Sequence, residues 1–364
     1  SRLVDIVNER FTKAETARRQ YEDQWLRNYK NYRGVYSDAV KFTEAEKSRV
    51  FIKVTKTKVL AAYGQITDVL FSAGRFPLSV DPTVLPEGIA GDVHYDPAAE
   101  GQEGAASPYG FAGDGKELPA GATETSLKLG PLEDKLEGKD VKEGMGSSPT
   151  SVNYNPAMLA AKRMEKKIHD QLDESEATKQ LRSAAFEMPL FGTGIMKGPM
   201  AVDKEYPDWD EEGNYIPVTK TVPKVSYVSV WDFYPDPDAA HIGDCQFSVQ
   251  RHKMNRSQLR DLKKRPFFRK DVIESVVDHG ENYVKKYWED DLVDYQLDSG
   301  VERFEVLEYW GVMDMDTIEE YEIEIPEELE DAEELQVNIW ICNDRVIRSV
   351  LNPFKPVRLP YYAV

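Results

Sequence analysis

Apolar side chains recur at steps of three, four or seven from Leu3 through Val7, Phe11, Ala14, Tyr21, Trp25 and Tyr29 to Tyr32, and Gly34 follows. That spacing predicts one long amphipathic helix over 3–33, with a stripe of aromatics built for core or helix-to-helix packing. A second helix is predicted over about 56–72, with Val59, Tyr63, Ile66 and Leu70 on one face and Gly74 and Pro77 closing it. An extended piece, 76–84, comes next. Asn155-Pro156 supplies an N-cap and a first-turn proline for a third helix running to about Phe186, which Met188-Pro189 is expected to end.

From Phe191 to Trp231 the period changes to short extended runs, among them Val225, Tyr227 and then Val230-Trp231, broken by glycines and prolines. Helical pieces return between about 256 and 288. Strands are expected at 301–312 and 336–351, the latter folded at an Asn343-Asp344 hairpin turn. With no regular βαβ alternation, the order predicts an α+β fold of long amphipathic helices and antiparallel β segments. The stretch 86–150 is different in kind. It holds 12 of the 23 glycines with 13 Asp/Glu against 5 Lys, keeps no period, and reads as an insertion loop that is either disordered or laid against a neighbouring subunit. The expected divisions are therefore 1–85 (helical), 86–154 (insertion), 155–300 (helix, β region, helices) and 301–364 (antiparallel β).

At 364 residues, 41% hydrophobic and 30% charged, the chain can bury a sizeable core, which excludes global disorder and a disulfide-stapled miniprotein. No apolar run is long enough to cross a bilayer. Cys245 and Cys342 have no partner at metal or redox spacing, so free thiols and synthesis in a reducing compartment are expected. The start at Ser1 and the apolar end at Tyr361-Tyr362-Ala363-Val364 read as a fragment of a longer protein.

The net charge of -19 is unevenly spread. Residues 1–85 hold 15 Lys/Arg against 10 Asp/Glu, and 251–270 hold 9 against Asp261 alone. Between Asp314 and Glu334 there are 12 carboxylates and no Lys or Arg. A protein that grips a duplex needs a basic face to displace counterions, so the overall balance argues against tight DNA gripping but leaves room for transient passage. Within the basic cluster, Arg256, Arg260, Lys263 and Lys264 recur as the solvated face of a short helix would place them, with Leu259 and Leu262 inward, so a solvated face or a partner-protein contact is expected ahead of nucleic-acid binding.

The chemical motifs fail on inspection. Gly110, Gly115 and Lys116 have phosphate-loop spacing, but Glu117 stands where a hydroxyl should bind Mg²⁺. Gly192, Gly194 and Gly198 approximate a dinucleotide fingerprint with the third glycine one residue late and the helix on the wrong side, so a helix-to-strand turn is expected. Asp232, Asp236 and Asp238 lie among prolines and suit turns better than a calcium loop. His94, His169, His241, His252 and His279 show no ligand spacing, and no GxSxG occurs. No catalytic, cofactor-binding or metal-ligating residue is assigned.

Four segments, one of them in two parts, resemble the portal (head-to-tail connector) proteins of short-tailed bacteriophages: Tyr21 to Gly34, Phe191 to Pro199, Val228 to Pro237, and Glu308 to Gly311 with Leu351 to Tyr362. The resemblance spans most of the chain outside 86–150 and rests on the joint order of the phrases. It implies a structural virion protein, made in the host cytoplasm and built into a dodecameric ring at one capsid vertex. DNA is packaged and ejected through the ring's channel. The partners implied are the major capsid protein, the terminase large subunit, head-tail adaptor proteins and the passing double-stranded DNA, with no membrane, no cofactor and no catalytic centre. This region would be mainly the wing, so no DNA-channel residue is assigned. Two other readings are a hydrolase using carboxylates near Trp231 and Trp310, and a virion adaptor that forms no channel.

Overall fold

The computed structural model describes residues 2–36, 40–43, 50–72, 76, 78–82, 93–94, 153–154, 156–210, 213–292, 302–321, 323–329 and 331–364. The chain divides into two compact units, 77–170 and the remainder. In the smaller unit β1 (Val93–His94) pairs antiparallel with β2 (Asn153–Tyr154). Elsewhere in it, the Val80 amide donates to Glu165 at 3.2 Å. The rest of the expected 86–154 insertion, the Gly110–Glu117 phrase and the Asn155 cap lie outside the described residues.

The larger unit opens with α1 (Arg2–Arg33) and α2 (Val54–Phe71), close to the helices expected from periodicity. The third helix departs from expectation in two ways. It is broken into α3 (Pro156–Glu174) and α4 (Ala177–Phe191) at Glu176, whose φ of 53° is left-handed. Met188-Pro189 does not end α4 either. A proline in the last turn forfeits one backbone bond, and the helix ends instead at Gly192, whose φ of 91° lets its amide close on the Met188 carbonyl.

Two antiparallel sheets follow. β3 (Ile195–Tyr206) and β4 (Val218–Val228) form a long hairpin, and β10 (Tyr361–Ala363) adds to β3, giving the order β10-β3-β4. Val230–Asp232 is one 3-10 turn rather than the extended run expected, fixed by the Ser229 hydroxyl accepting from the Trp231 amide. The second sheet runs β5-β6-β7-β8-β9, from β5 (Phe233–Pro235), β6 (Phe247–Asn255), β7 (Arg303–Asp314), β8 (Glu334–Cys342) and β9 (Arg345–Leu351). Asn343 and Asp344, with φ of 52° and 55°, make the expected β8-β9 turn. Between the strands lie α5 (Arg256–Asp261), α6 (Lys270–His279), α7 (Glu289–Leu292) and α8 (Met315–Glu320). The fold is α+β with antiparallel sheets.

Period two along β7 sends its side chains to opposite faces of the second sheet. Leu307, Tyr309 and Met313 meet Leu3, Val7 and Phe11 of α1, while Phe304 and Val306 meet Leu259, Ile273 and Val277 of α5 and α6. Helices thus cover both faces. A third core joins the two sheets, where Ile195, Val228 and Tyr361 of the first pack with Phe233 and Trp310 of the second.

Candidate functional site

The sequence-selected residues do not converge. Asp236 accepts from the amides of Asp238 (3.1 Å) and Gln246 (3.2 Å), which is turn chemistry. Asp238 pairs with Lys13 at the surface. Asp232 is pushed up by burial, which the nearby Arg251 and Arg18 guanidinium groups oppose. The glycine phrase is the expected turn. Gly194 is buried, and a Cβ there would stand 2.5 Å from the Ala184 carbonyl oxygen and 2.9 Å from Met188 Cγ. Its backbone exchanges both hydrogen bonds with Val364. Gly194→Ala is therefore expected to cost about 1–3 kcal/mol by forcing α4 off β3. Urea denaturation checks this, and an unchanged midpoint would show that the helix gives way freely.

Six of the nine cations in the basic cluster pair with the chain's own carboxylates, while Arg265, Arg269 and Lys270 form no ion pair with a described residue. Arg256 meets Glu302 at 2.6 Å, Lys263 and Arg260 meet Glu274, and Lys264 meets Asp261. Arg251 is gripped by Glu289 at 2.9 Å and by Glu305 at 2.5 Å. Leu259 and Leu262 point inward as expected. Charges spent in this way are poor phosphate ligands.

Sequence reasoning missed a buried polar group that bridges the two sheets. Lys197 of β3 donates to both carboxylate oxygens of Glu308 on β7 and, at 3.1 Å, to Gln250 Oε1 on β6. His252 Nε2 lies 2.7 Å from Glu308 Oε2, and Trp310 Nε1 donates to Glu308 Oε1 at 2.7 Å. Tyr361 donates to Gln250 at 3.1 Å. Glu308 is 1% exposed. Burial alone would raise its carboxyl, but the Lys197 ammonium and the His252 hydrogen bond overcome burial and hold it well below the usual carboxylate range. Burial pulls Lys197 down and Glu308 pushes back. Every oxygen of the carboxylate is occupied, so the group fastens sheets together and offers no free base.

A cleft of about 970 Å³ opens between α1, α2, α4 and β4. Tyr29, Tyr63, Phe186, Tyr227 and Trp231 line it, with Glu187 in its wall. Burial raises the Glu187 carboxyl. Its oxygens accept from the Ser229 hydroxyl (2.9 Å) and the Val230 amide (3.1 Å), which tie α4 to the turn that follows β4. Among the described residues no group of three or more His, Cys, Asp or Glu could hold a metal ion, and no helix is long and apolar enough to cross a membrane. Both cysteines are free and buried.

What does converge is the set of phrases that carry the resemblance. Trp25 and Leu26, Phe191 and Ile195, Val228, Trp231 and Phe233, Trp310, then Phe354 and Tyr361 come one by one from all of those segments and share the third core. Trp231 is its hub, with ring centroids 5.5 Å from Trp25, 5.6 Å from Phe191 and 4.7 Å from Trp288. No protein-family model matches the chain, and no curated protein matches it.

Proposed function

We propose that the chain is a portal-type virion subunit. It assembles as a homo-oligomeric, dodecameric ring at one capsid vertex and passes double-stranded DNA during packaging and ejection. It meets the major capsid protein, docks the terminase large subunit and head-tail adaptor proteins, and does no covalent chemistry of its own.

The observation that carries this reading is the convergence of the portal-like phrases on one core. Large apolar residues of the phrases at 21–34, 191–199, 228–237, 308–311 and 351–362 all enter the third core, as segments that specify one architecture would. The charge supports it further. Six of the nine cations in the basic cluster are paired within the chain and the net charge is -19, so a ring of copies presents surfaces from which phosphates slide away.

Electron microscopy and mass photometry of the purified protein test the assembly, with a ring open along its axis as the expected result. A linear duplex is expected to bind with a dissociation constant of roughly micromolar or weaker, and with little dependence on salt. Tight binding that collapses between low and physiological salt would defeat the conduit reading.

A further inference from the structure

Strand β10 pairs only with Ile195–Lys197 of β3, so from Met200 outward the β3-β4 hairpin is a two-stranded arm. Hydrogen bonds fix its tip. The Asp210 amide donates to the Asn214 carbonyl at 3.0 Å and the Ile216 amide to the Asp208 carbonyl at 2.8 Å, while Gly213, with φ of 85°, turns the chain. Trp209 and Tyr215 stand opposite each other on this ladder with ring centroids 5.9 Å apart, and each is 60% exposed. Pro207 and Pro217 lie two residues further in on each arm, hence on the same face, and both are exposed. Two aromatics and two prolines gathered on one face mark a contact site, and Trp and Tyr are the side chains that most often anchor one.

The cleft between α1, α2, α4 and β4 has the matching form. Tyr29, Tyr63, Phe186, Tyr227 and Trp231 wall a volume of about 970 Å³, within the range of cavities that take apolar groups of ligand size. Lys179 and Arg182 line it where the chain is exposed, against Glu176 alone, so its rim is positive. The tip is the reverse. From Asp208 to Glu212 the sequence holds four carboxylates and no Lys or Arg. Tyr215 of the tip and Tyr227 of the cleft wall are twelve residues apart on one extended arm, about 40 Å, so a tip cannot reach the cleft of its own chain.

A knob and a hole at opposite ends of one arm fit a head-to-tail contact, the heterologous kind that closes into a ring. We propose that the Trp209-Tyr215 tip of one copy of this chain seats in the aromatic cleft of the next, with the tip carboxylates against Lys179 and Arg182. This deepens the ring reading and rests on it. The aromatic anchors supply most of the strength of the contact, and the charges set its orientation.

Crosslinking of the full chain tests the contact. Ile216→Cys places a thiol at the tip on the face away from Trp209 and Tyr215, and Ser183→Cys places one at the cleft. Both sites are exposed, whereas the native Cys245 and Cys342 are buried. The two thiols sit at opposite ends of the arm, so in the variant carrying both a short bismaleimide is expected to join different copies. The expected product on a denaturing gel is a ladder of dimers, trimers and larger species. Either substitution alone is expected to give dimers at most. Trp209→Ala with Tyr215→Ala is expected to melt within a few degrees of the parent, since both rings are exposed, yet to weaken assembly at least about tenfold in concentration by mass photometry. A parent ring with no ladder from the double-cysteine variant, or with parent-like assembly of the alanine variant, overturns this contact and leaves the ring reading standing. A parent protein that stays monomeric at every concentration and salt overturns both.

Discussion

Glu308→Ala is expected to cost about 3–5 kcal/mol of folding free energy, because it strands the Lys197 ammonium in a site closed to water. Three donors converge on that carboxylate, from Lys197, His252 and Trp310, and none has another acceptor of equal quality. Glu308→Gln keeps the volume and one acceptor oxygen but not the charge, so it falls between alanine and the parent. Removing both charges, as in Lys197→Met with Glu308→Leu, is expected to recover much of the loss, since an apolar pair of similar volume needs no desolvation. Urea denaturation of the single and double variants gives the coupling directly. The sign of the pH dependence follows from the depressed carboxyl. A carboxyl held lower in the folded than in the unfolded chain adds stability that is complete above the ordinary carboxylate range, and that stability drains away as pH falls through the folded value. Glu308→Gln should therefore differ most from the parent near neutral pH and converge on it in acid. A loss under about 1 kcal/mol for Glu308→Ala would mean that water reaches Lys197 after all.

This network shows where the sequence stopped being legible. Helices α1 and α2 were readable because their period is local, and the β8-β9 turn because Asn-Asp tolerates left-handed backbone. The break at Glu176 carries no such mark: glutamate is a good helix former, yet here it takes left-handed backbone. Lys197 was hidden inside a phrase that reads as a glycine turn, and its partner is 111 residues away. One signal was present. On β7 the alternate positions Phe304, Val306, Glu308 and Trp310 share a face, so a charged residue among large apolar ones demanded a buried counter-charge. Which lysine supplied it is a matter of topology, and so is the meeting of the portal-like phrases, whose members are up to some 330 residues apart in a chain that must fold before they touch.

Arg18→Met is the second large effect expected, again about 3–5 kcal/mol. Arg18 lies midway along α1, 6% exposed, with its guanidinium fully used. Nε and Nη2 donate to Glu22 at 2.9 and 2.6 Å, and the remaining hydrogens reach the carbonyls of Val230 (3.0 Å), Trp231 (2.9 Å) and Phe233 (2.6 Å). The same group stacks 3.6 Å from the ring centroid of Tyr234. Methionine keeps the aliphatic length and leaves Glu22 buried without its cation and three carbonyls without a donor. Lysine should rescue little, because one ammonium cannot serve four acceptors spread around a plane. Hydrogen exchange should then show α1 losing protection before the second sheet does, since Arg18 ties the helix to the 230–234 segment. Helix α1 is also anchored by Arg2 to Asp314 at one end and packed against α2 at the other. Parent-like stability in Arg18→Lys would instead show that a point charge is enough to hold the helix, and would shift the anchoring of α1 to its apolar stripe.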